Sequence, residues 1–322
     1  VRTYQCILVT GAAGFVGSHL LPALKAAFPT ARIAAAVKPQ DGVLPALAGA
    51  DEVLPFDLME PDDIPDLLRA CQPDGLVHLA AQSSVGASFS QGSLTWHANL
   101  LGTVGLGEAV LKHRPHCRFI LASSAEVYGL SFRLEQPLDE TARLTPTNPY
   151  AASKAASDLA VGEMTLRGLS ATRLRLFNHT GPGQSKVFAL PAFARQIARI
   201  EVGVQEPVLR VGALERWRDF LDVRDVCAAY VAALAMEPGS AAVYNICSGI
   251  PRRIGDVLES LLARSSVRPR IEVEPPRLRP TDLERVSGNF AQAQQSLGWS
   301  PSIDWADTLD ALLGYWRGRL QN

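Results

Sequence analysis

The chain has 322 residues, of which 47% are hydrophobic and 20% charged, and a formal net charge of −1. That composition can bury a large core in one domain or two, and it offers no bulk attraction to nucleic acid or an anionic membrane, so any anion must be held by local groups. No apolar stretch reaches the ~18 residues of a spanning helix, and the amino-terminal apolar run is too short for a signal sequence. The five cysteines (Cys6, Cys71, Cys117, Cys227 and Cys247) are widely spaced in mostly apolar runs, which predicts reduced thiols and a cytoplasmic location. With no Cys-x-x-Cys or His-Glu-x-x-His pattern, no metal site is expected.

In the first half, short apolar runs alternate with helical patterns, predicting strands near 5–10, 32–37, 52–56, 75–80, 117–122 and 172–177. The alternation predicts an α/β fold, a doubly wound parallel sheet with right-handed crossovers and helices on both faces. The first strand runs into Val9-Thr10-Gly11-Ala12-Ala13-Gly14-Phe15-Val16-Gly17. Glycines at 11, 14 and 17 allow a tight turn, close backbone approach to a pyrophosphate and close packing of the next helix, whose free N–H groups face the phosphates. NAD-binding folds commonly place an Asp or Glu at the end of the second strand to accept from the ribose hydroxyls. This chain reads Ala36-Val37-Lys38-Pro39-Gln40 there, and Lys38 can pair with a 2′-phosphate, which favours NADP(H); Asp41 keeps NAD(H) open.

The run from Cys117 to Leu121 leads to Ser123-Ser124-Ala125-Glu126-Val127-Tyr128-Gly129, so a parallel strand would deliver the Ser124 hydroxyl to the carboxyl edge of the sheet, where ligands bind. On an extended strand Glu126 would face the same side as Ser124. Tyr150 and Lys154, in Tyr150-Ala151-Ala152-Ser153-Lys154, lie on one face of a helix about one turn apart. A free phenol titrates near ~10, and an ammonium held close favours the phenolate, which suits acid–base work. Beyond Phe177 the pattern breaks into Gly, Pro and basic clusters, then resumes with a helix candidate at 222–236 and a strand candidate at 243–247. An interleaved organisation is expected: 1–177 with 220–247 as one domain, 178–219 with 248–310 as a smaller lobe, and 311–322 as the end of a terminal amphipathic helix that begins near Asp304 and turns Trp305, Leu309, Leu312, Leu313 and Trp316 inward.

These motifs, with Phe56-Asp57-Leu58, His78-Leu79-Ala80-Ala81-Gln82-Ser83-Ser84-Val85, Asn99-Leu100-Leu101-Gly102-Thr103 and Arg218-Asp219-Phe220, resemble the extended short-chain dehydrogenases/reductases over nearly the whole length. Within that group, the segments 177–184, 211–215 and 244–249 resemble the GDP-4-keto-6-deoxy-D-mannose reductases, which form GDP-D-rhamnose. The related GDP-mannose 4,6-dehydratases usually carry a more charged segment where this chain has Thr180-Gly181-Pro182-Gly183-Gln184.

The resemblance implies a Rossmann domain with a substrate lobe, a homodimer built from helices around 89–112 and 149–167, and a GDP-sugar substrate. It implies a catalytic set of Ser124, Tyr150 and Lys154, with Glu126 at the position that acts as a base in dehydratases. Asp57, Leu58, Leu79, Ala80, Ala81 and Asn99 would join Gly11, Gly14, Phe15, Val16, Gly17, Lys38, Tyr150 and Lys154 around the cofactor. Ser84, Val85, Ser124, Asn178, Arg218 and Arg279 would contact substrate, the arginines through a planar, permanently charged fork suited to diphosphate. A 4-epimerase, a 4,6-dehydratase or a non-catalytic dinucleotide sensor are the alternatives to a reductase.

Overall fold

The computed structural model describes residues 2–39, 47–60, 62–236, 242–274 and 283–320. Its strands are β1 (Cys6–Thr10), β2 (Arg32–Val37), β3 (Glu52–Pro55), β4 (Gly75–His78), β5 (Arg118–Ser124), β6 (Ala171–Leu176), β7 (Asn178–Thr180), β8 (Val208–Val211), β9 (Trp217–Asp222), β10 (Ala242–Ile246), β11 (Pro251–Arg253) and β12 (Arg270–Val273). The expected strands of the first half, and the strand and helix near 243–247 and 222–236, lie within two residues of these bounds at each end.

Seven strands form one parallel sheet in the order β10-β6-β5-β4-β1-β2-β3. Strands covered by helices on both faces read as continuous apolar runs, and all five residues of β1 are buried. One face packs the helix Phe15–Ala27 against Val223–Ala235 through Leu20, Leu24, Val226 and Tyr230; the other packs Leu67, Leu106, Val161 and Met164. The chain leaves β1 toward β2 and β3 and then crosses back to β4, so the strand order reverses beside β1 and opens a crevice at the carboxyl edge.

The remaining strands make two small sheets, β11-β9-β7 and β12-β8. Over them pack the helices Ala189–Glu201, Ile254–Ala263 and Trp305–Gly318, with Leu190, Phe193, Ile197, Leu258 and Leu312 in a separate core. The terminal helix buries Leu309, Leu313 and Trp316 as its pattern predicts, and Trp305 stacks on Phe220 at a centroid distance of 5.8 Å. From sequence alone 178–219 and 248–310 read mostly as loop, and the five short strands there are a finding of the structure. β8 pairs with β12 and β9 with β11, partners far away along the chain that no local pattern announces.

Candidate active site

A cleft of about 1340 Å³ runs along the carboxyl edge of the main sheet and into the second lobe. At its floor is the glycine-rich turn. Gly11 has φ of +69°, and a Cβ there would lie 2.7 Å from the Ala80 backbone nitrogen; a Cβ on Gly17 would collide with the Ala12 carbonyl. Both close approaches need glycine, and together they let the helix Phe15–Ala27 start against the sheet edge with no acidic side chain in its first turn. Gly11, Gly14, Phe15, Val16 and Gly17 all line the cleft. The segment after β6 lies over this turn: His179 stacks on Phe15 with centroids 6.0 Å apart, and His19 Nε2 meets the Pro182 carbonyl oxygen at 2.8 Å.

Lys38 and Asp57 face one another at the end of β2, with Nζ 2.5 Å from Oδ2. Burial pushes the Asp57 carboxyl up, but the Lys38 ammonium and the Met59 amide outweigh it and hold the group below its ordinary value. Both residues, with Leu58, Leu79, Ala80 and Ala81, line the same end of the cleft. Asp41 lies outside the described residues.

Asn99 corrects an expectation. It is fully buried and does not line the cleft. Its side chain clamps the loop after β4, accepting from the Gln82 amide at 2.8 Å and donating to the Gln82 carbonyl at 3.0 Å and to the Ser153 hydroxyl at 3.0 Å. It therefore shapes the wall formed by residues 79–82. Ser84, whose hydroxyl caps the helix Val85–Ser90 by accepting from the Ala87 amide at 3.2 Å, lines the cleft together with Val85.

Ser124 is the last residue of β5, at the sheet edge as expected. Glu126 reaches the cleft by another route than the one read from sequence: the strand stops at Ser124 and a 3₁₀ helix begins at Ala125, its first turn held by the Glu126 amide donating to the Ser124 hydroxyl at 3.2 Å. Pro149 opens the helix Pro149–Leu166, and Asn148 caps it by accepting from the Ala151 amide at 2.8 Å, which places Tyr150 in the first turn beside Ser124.

Lys154 lies one turn further along, but its ammonium does not act on the phenol as the spacing suggested. Nζ donates to the Ala122 carbonyl at 2.5 Å. Burial pushes the Tyr150 phenol up to about 12, the Ser124 hydroxyl opposing the shift and the Glu126 carboxylate adding to it. Burial likewise brings Lys154 down to about 8, with Asp158 pulling the other way.

Asp158, a further turn along the helix, was not read from the sequence. It is fully buried and accepts from Ser123 Oγ at 2.6 Å, from Arg173 Nη1 at 3.0 Å and from Arg175 Nε and Nη2 at 3.1 and 3.0 Å. Arg175 also donates to the Tyr128 hydroxyl at 3.0 Å, which donates to Asn245 Oδ1 at 2.7 Å. This network ties the helix bearing Tyr150 and Lys154 to the strand bearing Ser124. Its one visible signal was two arginines in the otherwise apolar β6.

The far half of the cleft belongs to the second lobe. Asn178 and Arg218 line it, as do Lys186, Phe188, Arg195 and Ala213. Arg218 Nη1 donates to the Trp217 and Leu283 carbonyls at 2.8 and 2.9 Å. Beside it in sequence, the buried Asp219 accepts from the Ser248, Gly249 and Gly288 amides at 2.7, 3.0 and 3.3 Å, drawing three segments together. Arg279 lies outside the described residues.

The glycines of the turn, the sheet-edge Ser124, the helix-borne Tyr150 and Lys154, and Arg218 of β9 thus line one cleft. Residues 8–312 match the GDP-mannose 4,6 dehydratase family. The chain belongs to that family, within the extended short-chain dehydrogenases/reductases. It is 37% identical to the GDP-6-deoxy-D-mannose reductase of Pseudomonas aeruginosa, an alignment covering 98% of this chain and 99% of that one. It is 28% identical to the GDP-mannose 4,6-dehydratase of Sinorhizobium fredii over 82% of each chain. The solved structure of RMD from Pseudomonas aeruginosa complexed with NADPH superposes with a TM-score of 0.80 at 36% identity, covering 98% of this chain and 100% of that one.

Proposed function

We propose that the protein reduces the 4-keto group of a GDP-4-keto-6-deoxy hexose with NADPH, giving GDP-D-rhamnose or a close relative. The observation that carries this reading is full-length similarity to a reductase, at higher identity than to the dehydratase, in a chain whose cleft brings Ser124, Tyr150 and Lys154 together. The residues present fit a dinucleotide: Gly11, Gly14 and Gly17 line the cleft at the start of the helix Phe15–Ala27, whose first turn carries no acidic side chain, and Lys38 stands at the end of β2 where a 2′-phosphate would arrive. NAD(H) is the alternative cofactor. When bound, the cofactor supplies the hydride.

The protein's own part is acid catalysis and positioning. A phenol raised to about 12 remains protonated at neutral pH, which suits Tyr150 to donate its proton to the alkoxide that develops at sugar C4. Ser124 adds a second donor to the same oxygen, where negative charge builds. Lys154, desolvated and held on a backbone carbonyl, would bind the nicotinamide ribose. Glu126, near the Asn148 amide at 3.4 Å, would hold a sugar hydroxyl, and Arg218 with Asn178 and Arg279 would hold the diphosphate.

We assign the dinucleotide to 1–177 with 220–247 and the sugar nucleotide to the second lobe. A cytoplasmic homodimer completes the reading: Phe89, Leu94, Leu101, Leu159 and Leu166, on the segments expected to pair, expose large apolar side chains. No helix among the described residues is long and apolar enough to cross a membrane.

The test pairs two incubations. GDP-4-keto-6-deoxy-D-mannose with NADPH should consume NADPH in step with a 4-hydroxy product identified by NMR. GDP-mannose without reductant should remain unchanged, and a 4-keto-6-deoxy product there would replace reduction by dehydration.

A further inference from the structure

A histidine buried in a parallel sheet needs both ring nitrogens paired. His78 ends β4 beside Thr10 at the end of β1, and both side chains are buried behind the cleft surface. Nδ1 meets the Thr10 hydroxyl oxygen at 2.7 Å, and Nε2 meets the Thr103 hydroxyl oxygen at 3.0 Å. The single proton of the Thr103 hydroxyl goes to the Asn99 carbonyl at 2.8 Å, so Thr103 accepts from the ring and Nε2 carries the hydrogen. Nδ1 is then the acceptor, taking the proton of Thr10, whose oxygen in turn accepts from the Ala80 amide at 3.4 Å. Burial and the nearby Lys154 ammonium push the imidazole down to about 3, so at pH 7 it is neutral, with the one donor and one acceptor that this chain of bonds requires.

The chain joins two parts whose separation matters to the reaction. One end is Ala80, which lines the cleft and lies so close to the glycine-rich turn that a Cβ on Gly11 would come within 2.7 Å of its amide nitrogen. The other end is the helix Pro149–Leu166. Beyond Thr103, Asn99 donates to the Ser153 hydroxyl at 3.0 Å, and Ser153 donates to the Tyr150 carbonyl at 2.8 Å. His78 stands between them.

We propose that His78, as its Nε2–H tautomer, is a positioning residue that fixes the dinucleotide wall at Ala80 relative to the helix bearing Tyr150. This rests on the cofactor reading above and deepens it. His78 touches neither ligand. Through Thr10 it sets where the dinucleotide lies, through Thr103 it sets where the proton donor stands, and transfer depends on both.

Nitrogen-15 NMR of the histidine-labelled, ligand-free protein at pH 7 should show His78 neutral with its proton on Nε2; an Nδ1–H tautomer or an imidazolium would overturn the assignment. Thr10→Val and Thr103→Val each delete one hydroxyl at nearly constant shape, and both should lower the melting temperature by similar amounts. Their effects on function should divide. Thr10→Val should weaken NADPH binding about fivefold in fluorescence titration, the loss of one ordinary hydrogen bond, with kcat held within about twofold. Thr103→Val should lower kcat about tenfold at saturating ligands, with NADPH binding held within about twofold. His78→Phe should show both defects, and if it does not fold the threonine pair decides. Lower melting temperatures with unaltered binding and turnover, or the same losses in both threonine variants, would make the chain a packing feature and overturn the assignment. A wild type that neither binds NADPH nor reduces the keto sugar would remove the cofactor reading first and this assignment with it, whereas a wild type that does both, beside threonine variants that show no division, would sink the role of His78 alone.

Discussion

The two halves of the cleft are built differently. The half assigned to the dinucleotide is made of consecutive strand ends of one parallel sheet, with residues 11–17, 38, 57–58 and 79–81 all arriving at the carboxyl edge. The half assigned to the sugar nucleotide gathers Asn178, Lys186, Arg195, Ala213 and Arg218 from elements held by the small sheets β11-β9-β7 and β12-β8 and by the Asp219 crosslinks. In the first half, geometry follows from one repeated supersecondary unit. In the second it follows from pairings between distant segments, so a substitution there tests a contact that only the assembled lobe creates. Where the halves meet stand Ser124, Tyr150 and Lys154, fastened together by Asp158 and Arg175.

The largest effect is expected at this meeting point. Tyr150→Phe keeps the ring and removes the proton donor, so turnover should fall roughly 10²–10⁴-fold while both ligands still bind in equilibrium titrations. Near-normal turnover would mean that another group supplies the proton.

Lys154 offers a pH test of the same place. Burial depresses its folded value to about 8 from 10.5, so below pH 8 the folded state carries a buried charge at a cost of about 3 kcal/mol. The unfolded chain binds the extra proton between pH 8 and 10.5, and the cost is relieved as pH rises through that window. Measured by chemical denaturation without ligand, wild type should therefore gain stability relative to Lys154→Met over that window. A flat difference would show the ammonium to be well solvated.

Arg218→Ala should break one half and spare the other. Losing a charged hydrogen bond should weaken GDP-sugar binding by about 1.5–3 kcal/mol and leave NADPH binding unaltered, as read by calorimetry. Equal weakening of both ligands would make its bonds to the Trp217 and Leu283 carbonyls the part that matters.

The smallest effect is expected at Lys38, an exposed ion pair of the kind worth roughly 0–1 kcal/mol. Lys38→Asp sets two carboxylates together and should shift the ratio of NADPH to NADH efficiency toward NADH, by about tenfold. An unchanged ratio would show that the 2′-phosphate is read elsewhere.

The contrast also explains what could be read beforehand. The turn at 11–17, the strand ends at Lys38 and Ser124 and the Tyr150–Lys154 spacing were legible because each is a short-range pattern with a mechanical reason. Asn99 was misplaced because a motif position says that a polar side chain is needed without saying which way it turns; here it turns to Gln82 and Ser153. Glu126 was placed in the cleft by an extended backbone that in fact ends two residues earlier. Asp158 carried no signal beyond the two arginines of β6 that pair with it, since a buried carboxylate looks in sequence like any polar residue on a helix.

Hydrophobic periodicity, glycine spacing and strand-to-helix alternation by themselves determined the parallel sheet, its glycine-lined edge and the residues delivered there, because these depend on interactions within a few dozen residues. Tertiary structure alone decided the electrostatics and the second lobe. Burial raised Tyr150 and lowered Lys154, the Ala122 carbonyl took the lysine that spacing had assigned to the phenol, and β8 and β9 found partners far along the chain. Desolvation and long-range pairing depend on what surrounds a residue in space, and that is set only when the chain has closed around it.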